Sequence, residues 1–401
     1  LSKTNDFTNG IIQKEANYIL GTYPRPPFVL SQGNGLTLVD TDGNNYLDFG
    51  SGIAVNALGH SDPEITSVVQ EQISQLSHIS NLYHSTPQVQ LAEQLCNFSF
   101  ADKVFFSNSG SESVEAALKF ARKNARVKHG PGKMGTVAFQ GGFHGRTYGS
   151  LSVTSREDYQ APFRPLVPDI AFGPYNNIEA AQKLIGPNTC AVIVEPVQGE
   201  GGIHVASIEF MKALREQCDK FGALLIVDEI QSGMGRTGKL WAYQHFGIEP
   251  DIMTLAKALG GGLPIGATLL TDAVAQTIAA GDHGSTFGGG PVVSRVALVV
   301  LKRVSDPSML NHVATISDYL LEKLTALNSS HIKQIRGLGL MIGVELDIEA
   351  KPLLIEGYKQ GILLLNAGSN VLRLLPPLII TEEEVDKFIQ IMRMILDEDE
   401  K

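Results

Sequence analysis

Six short apolar or β-branched runs recur along the middle of the chain: Val104–Phe106, Thr136–Phe139, Ala191–Val194, Leu224–Val227, Ile252–Ala256 and Gly266–Thr271. Near-continuous runs of this kind read as strands covered on both faces. Between several of them lie helix-period segments. Ser111–Arg126 places Val114, Ala117, Leu118 and Ala121 on one face, and Phe210–Gly222 ends in a glycine suited to a helix C-cap. Strand, helix, strand at this rhythm predicts an α/β domain whose central sheet is mainly parallel and flanked by helices.

The two ends follow another pattern. Gly33–Gly52 reads as a small antiparallel meander with DG and NN at its turns. From about Arg295 a long helix begins, carrying Val296, Val299 and Val300. GLMIGVEL, ILLLN and VLRLLP then read as strands, and a terminal helix starts at Glu382. These pieces predict a smaller α+β domain built from residues 1–55 and 296–401 around a large domain of residues 56–295. No internal repeat or low-complexity segment interrupts the pattern.

The 401 residues suffice for two such domains. No apolar run approaches the roughly 18 residues of a membrane span. A formal charge of −10 argues against general nucleic-acid binding, which needs a basic face. Cys96, Cys190 and Cys218 match no metal or redox spacing and point to a reducing compartment, with Cys190 a small core residue. The first residues, LSKTNDFTNG, show no secretory signal, and the chain starts with leucine. The expectation is the cytoplasm, or a mitochondrial or plastid matrix if a leader was removed.

Chemistry enters where strands end. AVIVEP delivers Glu195 and LLIVDE delivers Asp228 and Glu229. In open parallel sheets ligands bind beyond the carboxyl ends of strands, so these acids either meet a ligand or mark the exit into solvent. Lys257 follows a third strand, in TLAKALGGG. It is either a lysine snorkelling to the surface or a desolvated amine able to attack a carbonyl. In VFFSNSGSE, Gly110 and Ser111 open a helix whose N–H groups attract an anion; a serine cap alone is the plainer reading. GGFHGRT offers Phe143 as a ring and Arg146 as a carboxylate fork, against core packing and a surface ion pair.

GMGRTG (Gly233–Gly238) satisfies G-x-G-x-x-G, the one feature favouring a nicotinamide dehydrogenase. Asp228 and Glu229 beside it would repel a pyrophosphate, KLWAYQHFG is short for the receiving helix, and Leu240 replaces the hydroxyl a P-loop requires. A lysine nucleophile, an aspartate, a phosphate-binding helix start and a flat aromatic instead suit pyridoxal 5'-phosphate. Lys257 would hold it as a Schiff base, Asp228 would keep its pyridine nitrogen protonated, Gly110–Ser111 would seat the phosphate and Phe143 would stack on the ring.

With these pieces in place, the chain resembles the class III, fold-type-I aminotransferases nearly end to end, from ILGTYPRPP to VLRLLPPLIIT. The motifs carrying the likeness are SGIAVNALGH, SNLY, FFSNSGSE, GFHGRT, VEPVQGEGG, VDEIQSGMGRTG, LAKALGGGLPIGA and HGSTFGGGP. The resemblance explains GMGRTG as part of a family signature. It implies that Gln231 bonds the cofactor's ring hydroxyl and that Ile230 packs on the ring face opposite Phe143. Thr286 would reach the phosphate of the neighbouring subunit's cofactor, making a homodimer with active sites at the interface, and Ser285 would face substrate from across it. Arg146 would clamp the substrate α-carboxylate. Glu195 joins the catalytic set. Glu200 and Arg373 would form a switch, paired for the amino donor and parted when 2-oxoglutarate brings a carboxylate; a permanent salt bridge is the alternative.

The sequence departs from the family at three places: Val114 for asparagine, Gly290 for asparagine, and His84 where tyrosine is common. SGIAVN puts Ile53, Ala54 and Val55 where ornithine-type members carry a tyrosine-bearing stretch. This implies transamination of N2-acetyl-L-ornithine with 2-oxoglutarate in arginine biosynthesis. Ornithine, succinylornithine, succinyldiaminopimelate and 4-aminobutyrate are the alternative donors. A non-catalytic relative is disfavoured by the intact Lys257, Asp228 and Arg146.

Overall fold

The computed structural model describes residues 5–398. The chain opens with a helix, Asp6–Tyr18, capped by Asn5, whose side chain accepts the Thr8 N–H at 2.8 Å. This helix buries only Thr8, so no apolar stripe announced it. The expected meander follows as β1 (Leu30–Asn34), β2 (Thr37–Asp40) and β3 (Asn45–Asp48), paired antiparallel in that order.

The central sheet has seven strands: β4 (Lys103–Ser107), β5 (Gly135–Phe139), β6 (Ile170–Gly173), β7 (Thr189–Val194), and, after a two-residue hairpin of β8 (Val197–Gln198) and β9 (His204–Val205), β10 (Leu224–Asp228), β11 (Ile252–Leu255) and β12 (Gly266–Leu270). Their order is β4-β12-β11-β10-β7-β5-β6. Only β12 runs against its neighbours, so the sheet is mainly parallel, as the strand–helix rhythm predicts. Every residue of β7, β10, β11 and β12 is buried, which is why these segments carry no polar alternation.

Helices cover both faces. Gly110–His129 buries Val114, Ala117, Leu118 and Ala121, the predicted stripe. Ile208–Phe221 ends at Gly222 in the left-handed conformation, as its C-cap glycine suggests. The departure Val114 is wholly buried in this core, among Phe105 and Phe120, so an apolar side chain suits its place. Cys190 is likewise buried, and burial pushes its thiol pKa up.

In the C-terminal part, the long helix spans Pro291–Val304 and starts four residues before Arg295. Proline at the first turn loses no hydrogen bond there, and Gly290 takes the cap position. A second sheet has the order β13-β14-β17-β16, from β13 (Ile332–Leu338), β14 (Met341–Leu346), β16 (Leu365–Asn366) and β17 (Val371–Leu374). β13 is a half-exposed edge strand without clear alternation, and its sequence gave no warning of it. ILLLN divides between two sheets. β15 (Ile362–Leu363) joins β3 in parallel, and β16 joins β17. The N- and C-terminal segments therefore share one sheet, and Phe49 stacks on Phe388 of the terminal helix Glu382–Glu398 at 4.0 Å. Among the described residues no helix is long and apolar enough to cross a membrane.

Candidate active site

Because β4, β5, β7, β10 and β11 all point the same way, their carboxyl ends meet along one edge of the sheet. A cavity of about 420 Å³ opens there, lined among others by Gly110, Phe143, Glu195, Asp228, Gln231 and Lys257. Ser111, Glu200, Ile230 and Val55 also line it.

Lys257 follows β11 and settles its own question: it faces this cavity, not bulk water. Burial lowers its pKa to about 8, and the nearby Arg373 charge pushes the same way. Its backbone has φ +42, an uncommon conformation for a side-chain-bearing residue and one that clusters at functional sites.

Asp228 ends β10 and is only 4% exposed. One carboxylate oxygen accepts the Ile230 N–H at 3.1 Å; the other lies 2.7 Å from His144 Nδ1. Burial opposes the imidazolium, but the Asp228 hydrogen bond and the charges of Asp228 and Glu195 prevail and raise the His144 pKa. His144 stands between Phe143 and Arg146 in GFHGRT, and its contact with Asp228 is one that sequence reasoning missed.

Glu195 lines the cavity with both oxygens engaged, accepting the N–H of Phe143 at 2.9 Å and of Gly199 at 3.2 Å. It ties the loop after β5 to the hairpin after β7, and burial raises its pKa to about 7. Glu229, beside Asp228, turns away from the cavity. It accepts the N–H groups of Ala242 and Tyr243 at 2.7 and 2.6 Å and so holds the segment that follows the GMGRTG loop. Only a four-residue 3-10 turn follows that loop, not a helix able to receive a dinucleotide.

At the helix start the serine cap is present. Ser109 caps, accepting the Glu112 N–H at 3.3 Å, while Gly110 and Ser111 remain at the cavity wall. A Cβ on Gly110 would lie 2.9 Å from Ile230 Cδ1, and one on Gly145, at φ +128, would lie 2.3 Å from Ser111 Oγ. Neither position has room for a side chain, so the Ile230 and Ser111 side chains pack directly against backbone there.

Arg373, 3% exposed on β17, donates to Glu200 Oε1 at 2.6 Å; its Nε is buried without a hydrogen-bond partner among the described residues. Glu200 sits at the tip of the β8–β9 hairpin, its backbone carbonyl held by Arg156 at 2.6 Å. Arg146 is exposed and lies outside the cavity wall, its guanidinium 3.3 Å above the Tyr159 ring centre. Ser285 accepts from Asn108 Nδ2 at 3.0 Å, while Thr286 is exposed and touches no part of this cavity's wall. Of the departures, Gly290 caps a helix and His84 is exposed.

The donor set fits pyridoxal 5'-phosphate. A helix N-terminus would seat the phosphate, Asp228 a protonated ring nitrogen, and Lys257 the aldehyde. Gln231 Oε1 is buried in the cavity wall with no hydrogen-bond partner among the described residues, and suits a ring hydroxyl donor.

Comparisons with known proteins agree with this geometry. The profile of the family described as aminotransferase class-III matches residues 21–396. The mitochondrial acetylornithine aminotransferase of Alnus glutinosa is 48% identical over 98% of this chain and 89% of its own length. The crystal structure of N-acetylornithine aminotransferase from Stenotrophomonas maltophilia matches 97% of this chain and 99% of its own at 36% identity and TM-score 0.84. Ornithine aminotransferase from Toxoplasma gondii matches 100% and 97% at 31% identity and TM-score 0.93. The chain belongs to the class-III aminotransferases, enzymes of the pyridoxal-phosphate-dependent fold type I.

Proposed function

We propose that this enzyme moves the δ-amino group of N2-acetyl-L-ornithine to 2-oxoglutarate, giving N-acetyl-L-glutamate 5-semialdehyde and L-glutamate, in arginine biosynthesis. The observation that carries the reading is the Arg373–Glu200 contact of 2.6 Å at the edge of the Lys257 cavity. It is a cation masked by a carboxylate that can be unmasked. The printed names of the relatives support the donor, as does Val55, a small apolar side chain in the cavity wall.

Pyridoxal 5'-phosphate, when bound, supplies an electron sink and carries the amino group between the two half-reactions. Lys257 anchors it and, with a pKa near 8, moves a proton to and from the substrate carbon that bears the amino group. Asp228 would hold the ring nitrogen proton, and His144 holds Asp228. Gln231 would bond the ring hydroxyl, Phe143 and Ile230 would flank the ring, and Gly110 with Ser111 would hold the phosphate. Glu195 fixes the loops around them. Arg146 leaves its Tyr159 platform to bind the donor α-carboxylate. Glu200 masks Arg373 while the donor is bound and releases it to the distal carboxylate of 2-oxoglutarate.

The exposed Thr286 reaches the phosphate in a second copy of the chain, with Ser285 beside it, so the active unit is a homodimer. Residues 56–295 form the cofactor domain, and 1–55 with 296–401 form the smaller domain. The helix Pro291–Val304 runs across that boundary.

An absorption spectrum tests the function. Addition of N2-acetyl-L-ornithine bleaches the yellow enzyme, and 2-oxoglutarate restores the colour. Bleaching only by ornithine or 4-aminobutyrate would keep the chemistry and replace the donor.

A further inference from the structure

A strained turn leads into the cavity wall. Gly52 and Ile53 lie in the left-handed helical region (φ 63, ψ 37 and φ 63, ψ 55), flanked by Ser51 at φ +48 and Ala54 at φ +63. Successive left-handed residues are costly for side chains other than glycine, and three of these four carry one. Such a conformation persists only where its surroundings over-determine it. The residue that follows is Val55, which lines the cavity with Lys257.

The surroundings identify what holds the turn. One Asp48 oxygen accepts both the Gly50 and Ser51 N–H groups at 2.9 Å, and its other oxygen lies 2.7 Å from His60 Nε2. The Ser51 carbonyl accepts the N–H groups of Val55 and Asn56 at 2.9 Å. The Ser51 hydroxyl donates to the Leu375 carbonyl at 2.7 Å, and the Leu375 N–H returns to the Phe49 carbonyl at 2.7 Å. Ser51 and Leu375 are both wholly buried, so this double bond pair is not exchanged for water. Leu375 is two residues beyond Arg373.

We propose that Ser51 and Asp48 are positioning residues for substrate selection. They hold the left-handed turn that delivers Val55 to the cavity, and through Leu375 they fix that wall relative to Arg373. One buried hydroxyl thus joins the surface that meets the donor's acylated end to the arm that meets the acceptor's carboxylate. The inference rests on the function proposed above.

The experiment uses the holoenzyme and a panel of donors, N2-acetyl-L-ornithine, ornithine and 4-aminobutyrate, with 2-oxoglutarate as acceptor. Ser51→Ala removes only the hydroxyl and leaves the side-chain carbon and its backbone strain as they are; Ser51→Gly removes the hydroxyl with that carbon and relieves the strain. Both variants should compress the kcat/KM ratio between the best and second donor by about tenfold. The change should lie in donor KM, with 2-oxoglutarate KM raised and the cofactor spectrum unchanged. Asp48→Asn should move the same ratio and serves if the Ser51 variants fold poorly. An unchanged ratio in all three variants, or a change in Ser51→Gly alone, overturns the proposal. The ratio is defined whichever donor the wild type prefers. A wild type that ignores N2-acetyl-L-ornithine therefore sinks the function reading and leaves this one measurable.

Discussion

His144 Nδ1 and an Asp228 carboxylate oxygen lie 2.7 Å apart, with side chains 1% and 3% exposed, 84 positions apart in the chain. A hydrogen bond in so dry a place fixes the direction of the Asp228 carboxylate. The acid at the end of β10 is thus held by a residue of the loop after β5.

His144→Phe should lower kcat by about 10–100-fold, the worth of one hydrogen bond to a charged group. The bound cofactor's absorption band should shift as well. The fold's pH response carries the same signature. The His144 pKa is raised in the folded state, so the pair stabilises fully below the unfolded imidazole range and loses that contribution as pH rises through the raised value. Chemical denaturation against pH should show this alkaline-side loss in the wild type and not in His144→Phe.

Lys257 gives a second pH test. With its pKa lowered to about 8, the free amine that captures the aldehyde grows as pH rises through that value. The rate at which cofactor-free enzyme regains colour should climb to a plateau above pH 8. Lys257→Ala should abolish both the colour and, by at least ~10³-fold, the turnover.

Glu200→Gln leaves Arg373 without its carboxylate partner. The donor half-reaction should weaken by about tenfold or more in KM, because an unmasked cation then faces an uncharged tail. Binding of 2-oxoglutarate should hold or tighten. Separate stopped-flow half-reactions distinguish these effects.

Arg236 is buried with no carboxylate partner among its hydrogen bonds, donating to the carbonyls of Leu340 and Pro376, and burial lowers its pKa to about 9. Arg236→Ala should cost about 3–5 kcal/mol, from a cavity and two abandoned carbonyls. Arg236→Met fills the volume and removes the desolvated charge, so its loss should be smaller, about 1–3 kcal/mol. Urea denaturation midpoints of the two variants check the order.

Much of this architecture was legible locally. A strand buried on both faces needs an unbroken apolar run, so β7, β10 and β11 could be read off directly. The residues that close such runs, Glu195, Asp228 and Lys257, then fall on one sheet edge because parallel strands share a direction. The helix stripe from Val114 to Ala121 was legible for the same reason: periodicity records which side faces the core. Half-exposed β13 and the helix Asp6–Tyr18 carry weak patterns because little of either is buried.

The sequence by itself thus determined the buried strands, their mainly parallel sheet and the residues that close them, since these follow from local burial and from residue type. Only the tertiary structure decided that Glu229 turns to a loop while Asp228 turns to the cavity, that His144 backs Asp228, and that Arg146 rests on Tyr159. It alone decided that Ser51 reaches a carbonyl 324 residues away. Such contacts depend on which chain segments meet in space, and hydrogen bonds between distant segments leave no period in the sequence.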